Sequence, residues 1–184
     1  MKYWIVIFFP LFSVFGQAEQ TIYQTTIEAG FITGGKASHR TIVFRSGGEL
    51  SGTFSKQYLN RLHMGLGMGA MALEDEIFVP IYIDARLKLS ENPSGTFLGF
   101  RSGYAFGANP SATNIENSSY QGGWHARSTF GYQSKLSDAL ALQFGFNISY
   151  QHGLLDRTFS SSQINQRERL RFFLFSLNIG CVFL

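Results

Sequence analysis

Two sets of residues in this chain have the types used in acyl-group hydrolysis. His125 stands three residues before Ser128, and His152 precedes Asp156 and Ser160. A hydrolase needs a nucleophile within hydrogen-bond reach of a base, and a third group that orients the base. Both sets lie in or beside stretches that alternate apolar and polar residues, the pattern of a β-strand, where residues of opposite parity point to opposite faces. His125 and Ser128 have opposite parity and are thereby separated. Two residues after His152, where a His-x-Ser arrangement needs its serine, stands Leu154, and no asparagine follows. No HExxH, GxSxG, P-loop or calcium-loop motif is present, and the glycine-rich run GLGMGAM lies inside a strand pattern. The single Cys181 permits no intramolecular disulfide and no cysteine-based metal site, and its apolar face is that of an inert buried thiol. The expectation is a chain with no catalytic residue, no metal and no cofactor.

A third set is electrostatic. Glu28, Arg45, Glu49, Asp84, Arg86, Lys88, Arg101 and Arg127 all fall on the polar parity of alternating segments. Charges of both signs on one face of a sheet either meet bulk water or neutralise one another in a confined space. Pairing and hydrogen bonding are the inexpensive way to hold charge where water is scarce. Arginines along a lumen also have the chemistry of an ion path, which is the competing reading.

The elements that position these residues are eight alternating segments, each about the ten residues that cross a membrane when tilted. They begin at Ile22, Thr41, Leu62, Ile77, Thr96, Gly123, Ala139 and Leu170. In the last, LRFFLFSLNIGCVFL, Phe173, Phe175, Leu177, Ile179, Cys181 and Phe183 share one face, while Ser176, Asn178 and Gly180 lie on the other. The connections after even-numbered segments are short. Two after odd-numbered ones, 108–122 and 152–166, are long and polar, and the acidic Glu74–Glu76 connection is brief. No amphipathic helix is found. The expected fold is all-β, a closed antiparallel eight-stranded up-and-down transmembrane β-barrel with its last strand between the seventh and the first.

Composition agrees. Charged residues are 15% and aromatics 16% of 184 residues, with 19 Phe and 20 Gly, yet mean hydropathy is only +0.01. A helical membrane protein is more apolar, whereas a barrel dilutes its lipid face with a polar inner one. A soluble lipocalin-like barrel has the same alternation with the faces reversed. Its outer face would need many more charges than the Gly65, Gly67, Gly69, Gly99, Gly103, Gly131 and Gly145 found here, which suit a narrow interior. Tyr23, Tyr58, Trp124, Tyr132 and Tyr150 fall near strand ends as interfacial girdles. Residues 1–18 have one lysine, an apolar run and a small-residue boundary, which predicts a cleaved signal peptide and an expected barrel domain over 19–184. The formal charge of +3 is too small and too scattered for nucleic acid.

The stretch HMGLGMGAMALEDEIFVPIYIDARLKLSENPSGTFLGFRSGYAFG resembles small outer-membrane β-barrel proteins of the Bacteroidetes type. The sharp part is Gly65 to Gly107: a glycine-alternating strand, a proline-led PIYIDAR strand, a short turn and a strand ending GYAFG. In strand count and loop asymmetry the chain is also similar to the OmpA and OmpX class. The resemblance implies an eight-stranded outer-membrane barrel, and the short even and long odd connections are those expected with both termini in the periplasm. The expected partners are outer-membrane lipid and lipopolysaccharide, and the barrel-assembly machinery through the C-terminal strand. An extracellular ligand at loops 108–122 and 152–166 is a further expectation. The expected role is structural or surface-interacting around a narrow plugged lumen. A small pore and a lipid A-modifying deacylase-type enzyme are the functional alternatives.

Overall fold

In the computed structural model, which describes residues 23–38, 41–92, 94–108, 118–159 and 164–184, every regular element is a strand. They are β1 (Tyr23–Ser38), β2 (Thr41–Leu59), β3 (Leu62–Leu73), β4 (Ile77–Lys88), β5 (Gly95–Ala108), β6 (Ser118–Gln121), β7 (Gly123–Lys135), β8 (Leu140–Phe159) and β9 (Ile164–Phe183). Each of the long strands pairs antiparallel with its neighbour, and β9 pairs with both β8 and β1. The result is a closed eight-stranded barrel, with β6 as a short additional piece.

Closure carries a stagger. Following paired residues from Thr25 through Phe54, Leu66, Ile83, Ser102, Ala126 and Tyr150 leads to Phe173 on β9. Directly across the β1–β9 seam, however, Thr25 faces Phe183, ten residues away along the same strand. This offset tilts the strands against the barrel axis, as closure of a sheet requires.

The alternation sorts the side chains. Ile27, Phe31, Leu50, Phe54, Ile81, Ile83, Phe100, Phe130, Phe146, Phe175 and Ile179 point outward and are about half exposed, and Leu66 and Leu177 reach 67%. Gln24, Glu28, Ser51, Asp84, Arg101, Arg127, Gln143 and Asn147 point inward and are buried. A continuous apolar exterior around a polar interior is the reverse of a lipocalin, and it is stable only where lipid covers it. Cys181 points outward and is half-buried, not fully buried as its apolar setting suggested.

Two girdles bound the apolar band. At the end where β1 begins and β9 finishes, Tyr23 stacks on Phe54 at 5.5 Å, with Tyr58 and Tyr132 exposed nearby. At the other end a chain of rings crosses three strands: Phe173 to Tyr150 at 5.2 Å and Tyr150 to Trp124 at 5.6 Å. Tyr104 and Phe106 on β5 add a further pair at 5.3 Å. Aromatic rings at the two rims match the amphipathic boundary of a bilayer.

The expected long connections are largely strand. Of 152–166, residues up to Phe159 belong to β8 and those from Ile164 to β9, paired without interruption as far as Phe159↔Ile164. The ladder persists because it satisfies the backbone donors and acceptors that face each other across the hairpin, while Gly153 and Leu155 keep the inward parity. Only residues 160–163, including Ser160, lie outside the described structure there. Of 108–122, residues 118–121 form β6 on β8, and 109–117 lie outside the described residues. So does the proposed signal peptide 1–18.

Candidate functional site

The lumen is filled in layers. At its middle Glu28 on β1 accepts hydrogen bonds from Arg101 on β5, from Gln143 on β8, and from Ser51 on β2 at 3.2 Å. Arg101 also donates to Asp84 on β4 at 2.7 Å and lies 5.0 Å from the Tyr82 ring centroid. Arg86 donates to Gln143, approaches Glu28 at 3.8 Å and stacks 4.7 Å from the centre of Phe97. Four strands thus converge on one carboxylate held by a fifth. Each of these charged side chains is under 5% exposed, so each depends on its partner for the solvation that water gives elsewhere.

Toward the β8–β9 hairpin lies a second pair. Arg127 on β7 is bound to Glu49 on β2 and donates to Ser149 on β8 at 3.0 Å. His125 beside it contacts Gln151 at 3.1 Å. The void among Glu49, Met71, Tyr82, His125 and Arg127 is about 10 Å³, the space of about one water molecule.

The third layer is apolar. Ile32, Met71, Leu73, Phe78, Leu155, Leu170, Phe172 and Leu174 form a buried cluster inside the barrel, with Phe78 set edge-on to Phe172 at 5.1 Å. It rests directly on the charged layer, since Met71 Sδ is 3.8 Å from Arg127. Tyr120 of β6 packs onto it from the hairpin side. Tyr120 reaches the interior through a one-residue shift: Gln121 pairs with Leu154, but His125 pairs with Gln151. That bulge reverses the facing of β6 relative to β7. Burial pushes the Tyr120 phenol above its ordinary value, with Glu76 adding to the shift.

A charged rim tops the β1–β4 side. Lys36 bonds Glu76 at 2.5 Å, and Arg45 reaches Glu74 at 2.8 Å and Asp75 at 2.9 Å.

Of the eight charged residues picked out by parity, Glu28, Asp84, Arg86 and Arg101 are brought into one cluster, and Glu49 and Arg127 into a pair next to it. Arg45 lies elsewhere, in the rim, because it sits near the hairpin end of β2, level with the β3–β4 connection. Lys88 lies two residues past Arg86 toward the termini and is half-buried. Sequence reasoning missed Gln143 as a bridging group, the Lys36–Glu76 pair, and the apolar layer. Ile32, Phe78 and Leu174 share the inward parity of Glu28, Asp84 and Ser176, so the signal was the same period-two count carried further along each strand.

The hydrolase constellations do not assemble. His125 is buried in the lumen while Ser128 is exposed on the outside. His152 and Asp156 lie four residues apart on one strand, about 13 Å at 3.3 Å per residue. Asp156 is instead bound by Arg167 across the hairpin at 2.8 Å. Among the described residues no group of three or more His, Cys, Asp or Glu could hold a metal ion.

An apolar exterior, aromatic girdles and a polar, filled interior define an eight-stranded transmembrane β-barrel, and solved structures of that class share the fold. Neisserial surface protein A superposes with a TM-score of 0.61 at 13% identity, over 90% of this chain and 99% of that one. The outer membrane protein OprG from Pseudomonas aeruginosa gives 0.55 at 10% identity, over 89% and 97%. The outer membrane protein AlkL gives 0.55 at 9%, over 91% and 93%. No protein-family model matches the chain, and no curated protein matches it by sequence.

Proposed function

We propose that this protein is a closed outer-membrane barrel with both termini in the periplasm, which presents the β8–β9 hairpin at the cell surface and conducts neither ions nor solutes. The observation that carries this reading is the doubly occluded lumen: a charge layer centred on Glu28 and an apolar layer centred on Phe78 and Phe172. Side chains nearly fill an eight-stranded barrel, so a conducting path would need both layers displaced. The asymmetry of the ends supports this orientation. Connections at one end are short turns, whereas at the other β8 and β9 run on well past the aromatic girdle, as the surface side of such barrels does. The names of the similar structures, a surface protein and two outer membrane proteins, support the same location.

The role is structural or surface-interacting, with an extracellular partner met at the β8–β9 hairpin and the 108–122 connection. Outer-membrane lipid contacts the apolar band, and the terminal strand ending at Phe183 is the segment offered to the barrel-assembly machinery. The Gly65–Gly107 resemblance supports a kinship with the small barrels of the Bacteroidetes type.

Planar-bilayer recording of the refolded chain tests this. The expected trace stays at baseline with no unitary steps, and reproducible single-channel openings in the unaltered protein would sink the closed-barrel reading.

A further inference from the structure

The outward face of β9 changes character at the upper girdle. From Phe183 to Phe173 every outward residue is apolar or Cys181; immediately beyond, Arg171, Arg169 and Arg167 continue the same face and are all exposed. Phe173 to Phe183 is eleven residues, a length that crosses the hydrocarbon when a strand is tilted. Phe173 itself belongs to the aromatic belt with Tyr150 and Trp124. Arg171 and Arg169 therefore stand at headgroup height, facing the bilayer and not the lumen.

Their neighbours fit a bulky anionic headgroup. Arg171 is flanked by Ala37 on β1 and His152 on β8, and the next outward residue of β1 is Gly35. Arg167 is held by Asp156, but among the described residues Arg169 and Arg171 have no ion-pair partner. Lower on the same side, an open apolar groove of about 620 Å³ is lined by Phe31, Phe130, Phe144, Phe146, Leu177 and Ile179. Leu177 lies six residues below Arg171, about 20 Å at 3.3 Å per residue, the reach of a long acyl chain. Guanidinium groups recognise phosphate by paired, charge-assisted hydrogen bonds.

We infer that Arg169 and Arg171, with the apolar groove below them, form a seat for a phosphorylated, multiply acylated glycolipid of the outer leaflet, the lipid A class. This rests on the surface orientation proposed above, because only that orientation brings these arginines to the leaflet holding lipid A.

The test is binding of the refolded full chain to diphosphoryl lipid A in detergent micelles, read by native mass spectrometry. Dephosphorylated lipid A and phosphatidylglycerol serve as parallel probes. R169A/R171A is expected to weaken diphosphoryl lipid A by about tenfold or more, the size of one lost charge-assisted contact. R169K/R171K should recover part of the loss, and binding of dephosphorylated lipid A should not change. Both variants lie on an exposed face, and an unboiled compact band on gels confirms that each barrel is closed. Equal binding of diphosphoryl lipid A by wild type and R169A/R171A overturns the seat. Phosphatidylglycerol binding as tightly as lipid A overturns the assignment to a glycolipid. A peptide tag inserted in 160–163 and read on intact cells tests the orientation separately. An inaccessible tag overturns the orientation and the lipid assignment with it, whereas an accessible tag with equal binding overturns the seat alone.

Discussion

Glu28 is the residue on which the interior depends, because Arg101, Gln143 and Ser51 all donate to it and Arg86 lies within 4 Å. Removing its charge leaves Arg101 with Asp84 and Arg86 with the neutral Gln143, two buried guanidiniums against one carboxylate. Glu28→Gln is expected to destabilise the barrel by about 3–5 kcal/mol, the usual cost of breaking a buried ion pair from one side. Arg61→Ala, whose ion pair with Glu91 is exposed on both sides, should cost no more than about 1 kcal/mol. Urea unfolding in lipid vesicles compares the two, and equal losses would contradict the ranking. That Glu28, Asp84, Arg86 and Arg101 face inward was legible from parity alone. That Arg45 does not join them was not, since parity fixes a face but not a height, and height depends on the stagger of eight strands.

At the scale of elements, the junction of β6 and β7 and the β8–β9 hairpin are where the expected loops proved to be structure. A Cβ on Gly122 would stand 1.7 Å from the Ala105 carbonyl oxygen, so the bulge that turns Tyr120 inward requires glycine there. Gly122→Val should detach β6 while leaving the lipid band intact. The expected readout is faster hydrogen exchange at Tyr120 and Gln121 with unchanged exchange at Phe130. The hairpin is clipped by Asp156 and Arg167, whose hydrogen bond lowers the carboxyl pKa below its ordinary value. A depressed carboxylate contributes stability that is present above the unfolded pKa and is lost as pH falls through the folded one. Amide exchange at Leu155 and Arg167 should therefore accelerate as pH drops below the ordinary aspartate range, after correction for intrinsic rates, and Asp156→Asn should remove that pH dependence. The polar composition of 152–166 hid this hairpin, because a strand standing in water needs no apolar outer face. What remained visible was Leu155 and Leu170 on the inward parity.

For the whole molecule the decisive feature is the seam, since a barrel has no free edge only if its first and last strands meet. Across this seam, which is offset by ten residues, the inward glycines Gly30 and Gly34 of β1 lie against the carbonyls of Leu177 and Phe173 on β9. At Gly34 an added Cβ would be 2.1 Å from the Phe173 carbonyl oxygen and 2.8 Å from Leu174 Cα, contacts with backbone that no rotamer relieves. At Gly52, which faces outward, a Cβ would meet nothing within 4 Å. Gly34→Leu and Gly52→Leu add the same side chain, one at the seam and one to the lipid face. A closed barrel migrates compactly in detergent gels until boiled, so the Gly52 variant should keep the faster unboiled band and the Gly34 variant should lose most of it. If Gly34→Leu migrated as the unaltered chain does, close approach at the seam would not be what closes this barrel. The terminal strand would then be held mainly by its ladder to β8, which continues beyond the seam as far as Phe159 and Ile164.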